Sequence, residues 1–154
     1  MVGSISDLRG QVVTLIQAVP LGPYQQGSIT STLKEARRPY AILDDSHARK
    51  HLLFSVDVPS VSFSDFHANQ SFPYLAKADL RVQFLYRIRA ADHDDEDKAS
   101  DLAEAICDKL LTLSTFNQKY NILPVEIHGT ELTPDGESVL ISQRYSVTFD
   151  LLGP

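Results

Sequence analysis

The sequence predicts an α+β fold, a mostly antiparallel twisted sheet with two helices packed on one face. Three observations lead there. Leu8, Val12, Leu15, Ile16 and Val19 recur at helical spacing near the start, and Ala99, Leu102, Ala103, Ile106, Leu110 and Leu113 do so again later. Between and after these stripes lie stretches rich in β-branched and aromatic residues, several of them alternating with period two. The order of helix, strands, helix and strand pair lacks the regular alternation that marks a parallel sheet. A chain of 154 residues suffices for one domain with its own core, since a domain of this size buries roughly 70% of the surface its unfolded chain exposes. No repeat or linker divides it, so residues 1–154 are read as a single domain.

Each element has its own signal. Ser4 or Ser6 can cap the first helix, Asp7 sits near the positive end of its dipole, and Pro20, Gly22 and Pro23 end it. The polar stretch YQQGSITSTLKEARR reads as loop or a short helical turn. PYAIL (39–43) is a short apolar strand stopped by Asp-Asp-Ser. HLLFSVDV (51–58) and VSFSDF (61–66) read as strands, and Pro59 between them, which has no N–H to give a ladder, predicts a hairpin or a sharp bend. HANQSFPYLAK reads as loop. It leads into the clearest strand, ADLRVQFLYRIRA, where Leu80, Val82, Phe84, Tyr86 and Ile88 point to the core. Arg81, Gln83, an exposed Leu85, Arg87 and Arg89 point to water or to a partner. After the second helix, VEIHGTEL (125–132) and SVLISQRYSVTFDLL (138–152) form a hairpin whose Pro-Asp-Gly supplies the turn. In the last strand Val139, Ile141, Tyr145, Val147, Phe149 and Leu151 share the core face.

Composition narrows the chemistry. A net charge of −6, from 20 acids and 14 bases, argues against a general nucleic-acid binder, because neutralising phosphate takes a basic surface. Cys107 is the only cysteine, so no disulfide forms within the chain; its apolar helical setting predicts a buried side chain and fits a reducing compartment. The start lacks the flanks of a signal peptide and no apolar run approaches the ~18 residues of a membrane span, so a soluble protein without a membrane partner is expected. No Gly-x-Ser-x-Gly, Walker, Rossmann or Cys-x-x-Cys motif occurs, and neither a cofactor nor a catalytic set is expected. His47 and His51 have i, i+4 spacing without a recognisable third ligand and read as surface histidines; His67, His93 and His128 are isolated.

The charge imbalance is local. From Asp92 to Glu104, seven acids (Asp92, Asp94, Asp95, Glu96, Asp97, Asp101, Glu104) stand against Lys98, a net −6 that equals the whole-chain value. As a helix start the cluster has a physical basis, since acids in a first turn meet unpaired N–H groups, each worth ~0.3–1 kcal/mol. As a calcium loop it fits poorly: Asp92, Asp94 and Glu96 alternate correctly, but Asp97 and Ala103 stand where glycine and a bidentate acid are needed. So many adjacent charges exceed what capping requires, and water, cations or a basic partner must relieve their repulsion. Arg81, Arg87 and Arg89 form either an ordinary solvated face or such a partner. Supplied by a neighbouring copy, they would meet Asp92, Asp94, Asp95, Glu96 and Asp97 head to tail.

The capped helix Ser4 to Val19, the segment Arg-Arg-Pro-Tyr-Ala-Ile-Leu-Asp-Asp (37–45), the long strand running into a helix (Ala78 to Leu113) and the final pair ending Ser-Val-Thr-Phe-Asp-Leu-Leu (146–152) carry a resemblance. This layout resembles the tail-terminator, or tail-completion, proteins of long-tailed bacteriophages. The resemblance implies a structural virion protein, commonly a hexameric ring, on the head-proximal end of the tail tube. Such a ring stops tube polymerisation and offers a docking surface to the head-completion or connector protein. DNA passes its lumen without specific binding, and an acidic lining suits that passage because it repels phosphate. The acidic cluster is then expected to face the lumen or the next subunit's arginines. Two alternatives stay open: a head-side neck adaptor that joins head to tail, and a small ligand-binding or metal-dependent enzyme domain using His128 beside Glu126 or the acidic cluster with a cation.

Overall fold

Helix α1 (Ile5–Gln17) begins where Ser4, in extended backbone at φ −141° and ψ 157°, accepts the Asp7 N–H on its hydroxyl at 3.1 Å. The computed structural model describes residues 3–22, 33–36, 52–63, 74–88, 94–116, 119–133 and 136–151. Within them α1 is followed by β1 (Lys34–Glu35), β2 (Leu53–Phe63), β3 (Tyr74–Arg87), α2 (Asp94–Phe116), β4 (Asn121–Leu132) and β5 (Ser138–Leu151). The strands form one sheet in the order β1-β2-β3-β5-β4, with β1 parallel to β2 and every other pairing antiparallel. Both helices pack against the same core, α1 over β1 and β2, α2 chiefly over β4. The α+β expectation holds in this form.

The helical stripes bury as their spacing predicts: Leu8, Val12 and Ile16 from α1, and Ala99, Leu102, Ala103, Ile106, Leu110 and Leu113 from α2, with Cys107 among them. Strand β3 contributes Ala76, Ala78, Leu80, Val82, Phe84 and Tyr86 to that layer, and β5 contributes Val139, Ile141, Tyr145, Val147 and Phe149.

Four sequence expectations need correction. The break at Pro59 is neither a hairpin nor a sharp bend. Strand β2 runs through it, and Val58 and Pro59 together oppose the single residue Leu80, a β-bulge in which proline's missing N–H costs no ladder bond. Tyr74 to Lys77, expected as loop, begins β3, because Ala76 and Ala78 continue its inward alternation. Residues Lys34 and Glu35, read as loop or helical turn, add a short parallel strand beside Leu53 and Phe54. The strand expected from Val125 starts at Asn121. PYAIL (39–43) lies outside the described residues.

The start of α1 is tied to the far end of the sheet. The Tyr120 hydroxyl donates to Asp7 Oδ2 at 2.5 Å and accepts the Ser4 N–H at 3.2 Å, while the Gly3 N–H donates to the Asp150 carbonyl at 2.6 Å. Gly3 must be glycine here, since a Cβ would come within 2.8 Å of both the Phe149 and the Tyr120 rings. Tyr120's hydroxyl, with help from Gln11 and Lys119, holds the Asp7 carboxyl below its ordinary 3.8, and burial, then Asp7, pushes Tyr120 up to about 12. A depressed carboxylate stabilises fully above its unfolded value and loses that contribution as pH falls through the folded one. The raised phenol stabilises below its ordinary 10.0, and loses its contribution as pH rises toward about 12. Tyr120→Phe should therefore lower the urea midpoint at neutral pH and flatten both limbs of its pH dependence, acid and alkaline, in chemical denaturation curves.

Candidate functional site

The sheet face turned away from the helices carries the charged groups, and strand register decides which of them meet. Asp57, Arg81, Arg144 and Glu126 form one transverse row across β2, β3, β5 and β4. Within it Arg81 is held by its own chain: Nε donates to Asp57 Oδ1 at 3.0 Å and Nη2 to Oδ2 at 2.7 Å, a two-point grip on a carboxylate that is only 6% exposed. One row over, the Gln83 amide donates to the Ser142 hydroxyl at 3.0 Å. The next row is apolar. Leu53, Leu85 and Leu140 close with Ala36 into a second small core, so Leu85, expected to be exposed, is buried.

Arg144 stands apart. Glu126 is its cross-strand neighbour, yet the Glu126 carboxylate lies back along β4 over Gly129, in the space a Cβ at that position would need. Among the described residues Arg144 has no ion-pair partner, and it is exposed on the sheet face that also carries Leu123, 56% exposed, while Val125, 59% exposed, sits at a register shift in β4 beside Glu126. An exposed arginine with a bare leucine on the neighbouring edge strand β4 has the composition of a protein contact.

The acidic stretch is a helix start, since α2 opens at Asp94. Its residues part company there. Asp95 lies i−4, i−7 and i−11 from Ala99, Leu102 and Ile106, so helical geometry turns it inward, and it is fully buried instead of facing a lumen or a neighbour. Glu96 and Asp97 are exposed, and Asp97 begins a stripe with Asp101, Glu104 and Asp108 directly opposite the buried face. Arg87 is exposed at the end of β3; Arg89 and Asp92 lie outside the described residues, as do His47, His51, His67 and His93.

Glu96 and Asp97 form the rim of a groove of about 650 Å³ between the first turns of α2 and the β4 and β5 hairpin. Ile88, Leu132, Val139 and Ile141 make its apolar lining, with Leu132 69% exposed, and His128 opens into it. His128 is aimed there by irregular pairing: between Glu126 and Gly129 the β4 register slips by one residue, leaving Ile127 and His128 against the single residue Gln143. His128 therefore shares a groove with Glu96 and Asp97, whereas the carboxylate of Glu126 rests over Gly129.

No protein-family model matches this sequence, and no curated protein matches it either. Among the described residues no three His, Cys, Asp or Glu side chains group as a metal site requires, and no helix is long and apolar enough to cross a membrane. What the arrangement offers is surface chemistry: an acid-rimmed apolar groove at one end of β4 and a cation with an exposed leucine on its face toward the other. The acids were legible in the sequence. Arg144 and Leu123 were not singled out there, since their only signal was the outward phase of their strands.

Proposed function

We propose that this chain is a structural subunit that assembles head to tail into a ring, the role of a phage tail terminator. In that role it caps the head-proximal end of the tail tube, ends tube polymerisation and presents a docking surface to the head's connector. Its binding partners are copies of itself, the tube protein and the head-completion protein, and it resides in the virion. The observation that supports this most is that one chain carries two unlike exposed surfaces, the acidic start and outer face of α2 and the arginine-bearing outer face of the sheet. Unlike surfaces on one subunit favour heterologous contacts, and a heterologous contact with the right rotation closes into a ring. The exposed stripe Asp101, Glu104 and Asp108 suits a wall past which DNA slides, because it repels phosphate.

Light scattering and negative-stain imaging, with and without isolated tail tubes, test this. Rings that bind one end of the tubes are expected; a chain that stays monomeric and ignores tubes overturns the proposal. Recovery on heads, and not on free tails from head-defective infections, would reassign the ring to the neck adaptor. The groove shared by His128, Glu96 and Asp97 favours a second reading, a small-ligand site. Saturable heat on titrating small metabolites, lost in His128→Ala, would support that reading against the ring.

A further inference from the structure

We infer that the groove between α2 and the hairpin receives the Arg144 patch of a second copy of this chain. This inference rests on the self-assembly reading and names the two surfaces that meet. The groove has an apolar lining of Ile88, Leu132, Val139 and Ile141 and carries negative charge at its rim, from Glu96 and Asp97. Its complement is a cation with an aliphatic side chain on its face. Arg144, with Leu123 exposed on the same face, is such a group, itself exposed and, among the described residues, without an ion-pair partner.

The match holds in each respect that decides a protein contact. In charge, a guanidinium meets two carboxylates, and Arg suits this because its planar fork engages carboxylate in two bonds and is weakly hydrated. In polarity, the side chains left bare on β4, Leu123 on one surface and Leu132 in the other, are covered together when the surfaces join. The two surfaces cannot satisfy each other within one chain. Leu132 faces the helix layer, as the partner of inward Val139, whereas Leu123 and Arg144 face the opposite side of the sheet. Gly129 helps keep Arg144 available, because its missing side chain gives the Glu126 carboxylate somewhere else to lie.

Arg81 is already gripped by Asp57, and Asp95 is buried. The inferred contact takes its cation from Arg144 and its carboxylates from Glu96 and Asp97, two of the acids that periodicity suggests.

Sedimentation velocity over a concentration series tests the inference on the full chain, with melting midpoints as a check that each exposed substitution leaves the fold intact. Arg144→Glu, the pair Glu96→Lys with Asp97→Lys, and Leu123→Asp should each weaken self-association by roughly tenfold or more at low salt. Combining Arg144→Glu with the two lysines should recover most of the loss. Self-association indifferent to these changes, a combined variant no better than its parents, or a monomer at every concentration would each overturn the inference. So would a monomer whose groove variants lose binding to tail tubes, since the groove then serves a different protein. Rings that persist in Arg144→Glu remove this contact and leave the ring standing. Contact-dependent oligomers that neither close nor cap a tube do the reverse.

Discussion

Replacing Gln143 with leucine is expected to destabilise the chain by about 2–4 kcal/mol, read as a fall of roughly 5–15 °C in melting midpoint. Gln143 is fully buried, and its amide donates to the Ala103 carbonyl of α2 at 2.7 Å and to the Ile127 carbonyl of β4 at 3.1 Å. Its Oε1 accepts the Tyr145 hydroxyl at 2.8 Å, and burial, with Cys107 adding to it, keeps that phenol protonated far above its usual range. The register slip in β4 leaves Ile127 opposite Gln143, and the side chain supplies the bond that the interrupted ladder does not. Leucine matches the shape closely but takes this donor from the Ile127 carbonyl and leaves the Tyr145 hydroxyl to the weaker Cys107 sulfur. Desolvated groups that lose these bonds then set the cost, more than any change in volume. Because the same bulge turns His128 into the groove and joins α2 to β4, this variant should also loosen that surface, seen as faster amide exchange from Ile127 to Thr130. Tyr145→Phe, which removes one donor and leaves the Ile127 bond intact, should cost markedly less than Gln143→Leu in the same denaturation series.

Arg81→Leu is expected to cost about 2–3 kcal/mol, because it leaves the Asp57 carboxylate buried without its cation. The figure sits below the range for wholly buried pairs, since the Arg81 side chain is 38% exposed while Asp57 is 6% exposed. Replacing both residues by leucine should return much of the loss, as removing an entire pair spares the desolvation that removing half of it imposes. Urea unfolding of the two single variants and the double variant reads this coupling directly. A ring contact through Arg81 would instead leave the stability of the isolated chain nearly unchanged in Arg81→Leu.

Some of these features were written in the sequence more plainly than first reading suggests. Along β2 the apolar residues fall at Phe54, Val56 and Val58 and then at Val61 and Phe63, a change from even to odd positions that only an extra residue in the strand accommodates. Extending the Ala99, Leu102 and Ile106 stripe back one turn lands on Asp95, so its burial was legible too. The row joining Asp57 to Arg81 and Arg81 to Arg144 was not legible, because alternation tells which face a residue takes and nothing of which residue stands across the gap. Leu85 shows the same limit: its outward phase was readable, but the cluster with Leu53, Leu140 and Ala36 that buries it draws on two other strands and the residue that follows β1.

Periodicity in the chain by itself determined the two helices, the inward faces of β3 and β5, the hairpin that joins β4 to β5 and the acidic start of α2, since each depends on the phase of side chains along one element. Register and bulges, which arise only when strands pair, decided that Arg81 serves its own Asp57, that Arg144 has no ion-pair partner among the described residues and that His128 opens into a groove with Glu96 and Asp97. A single strand carries no information about its neighbour's offset, and a slip of one residue exchanges every cross-strand partner, so the charges available to another molecule were set by pairing.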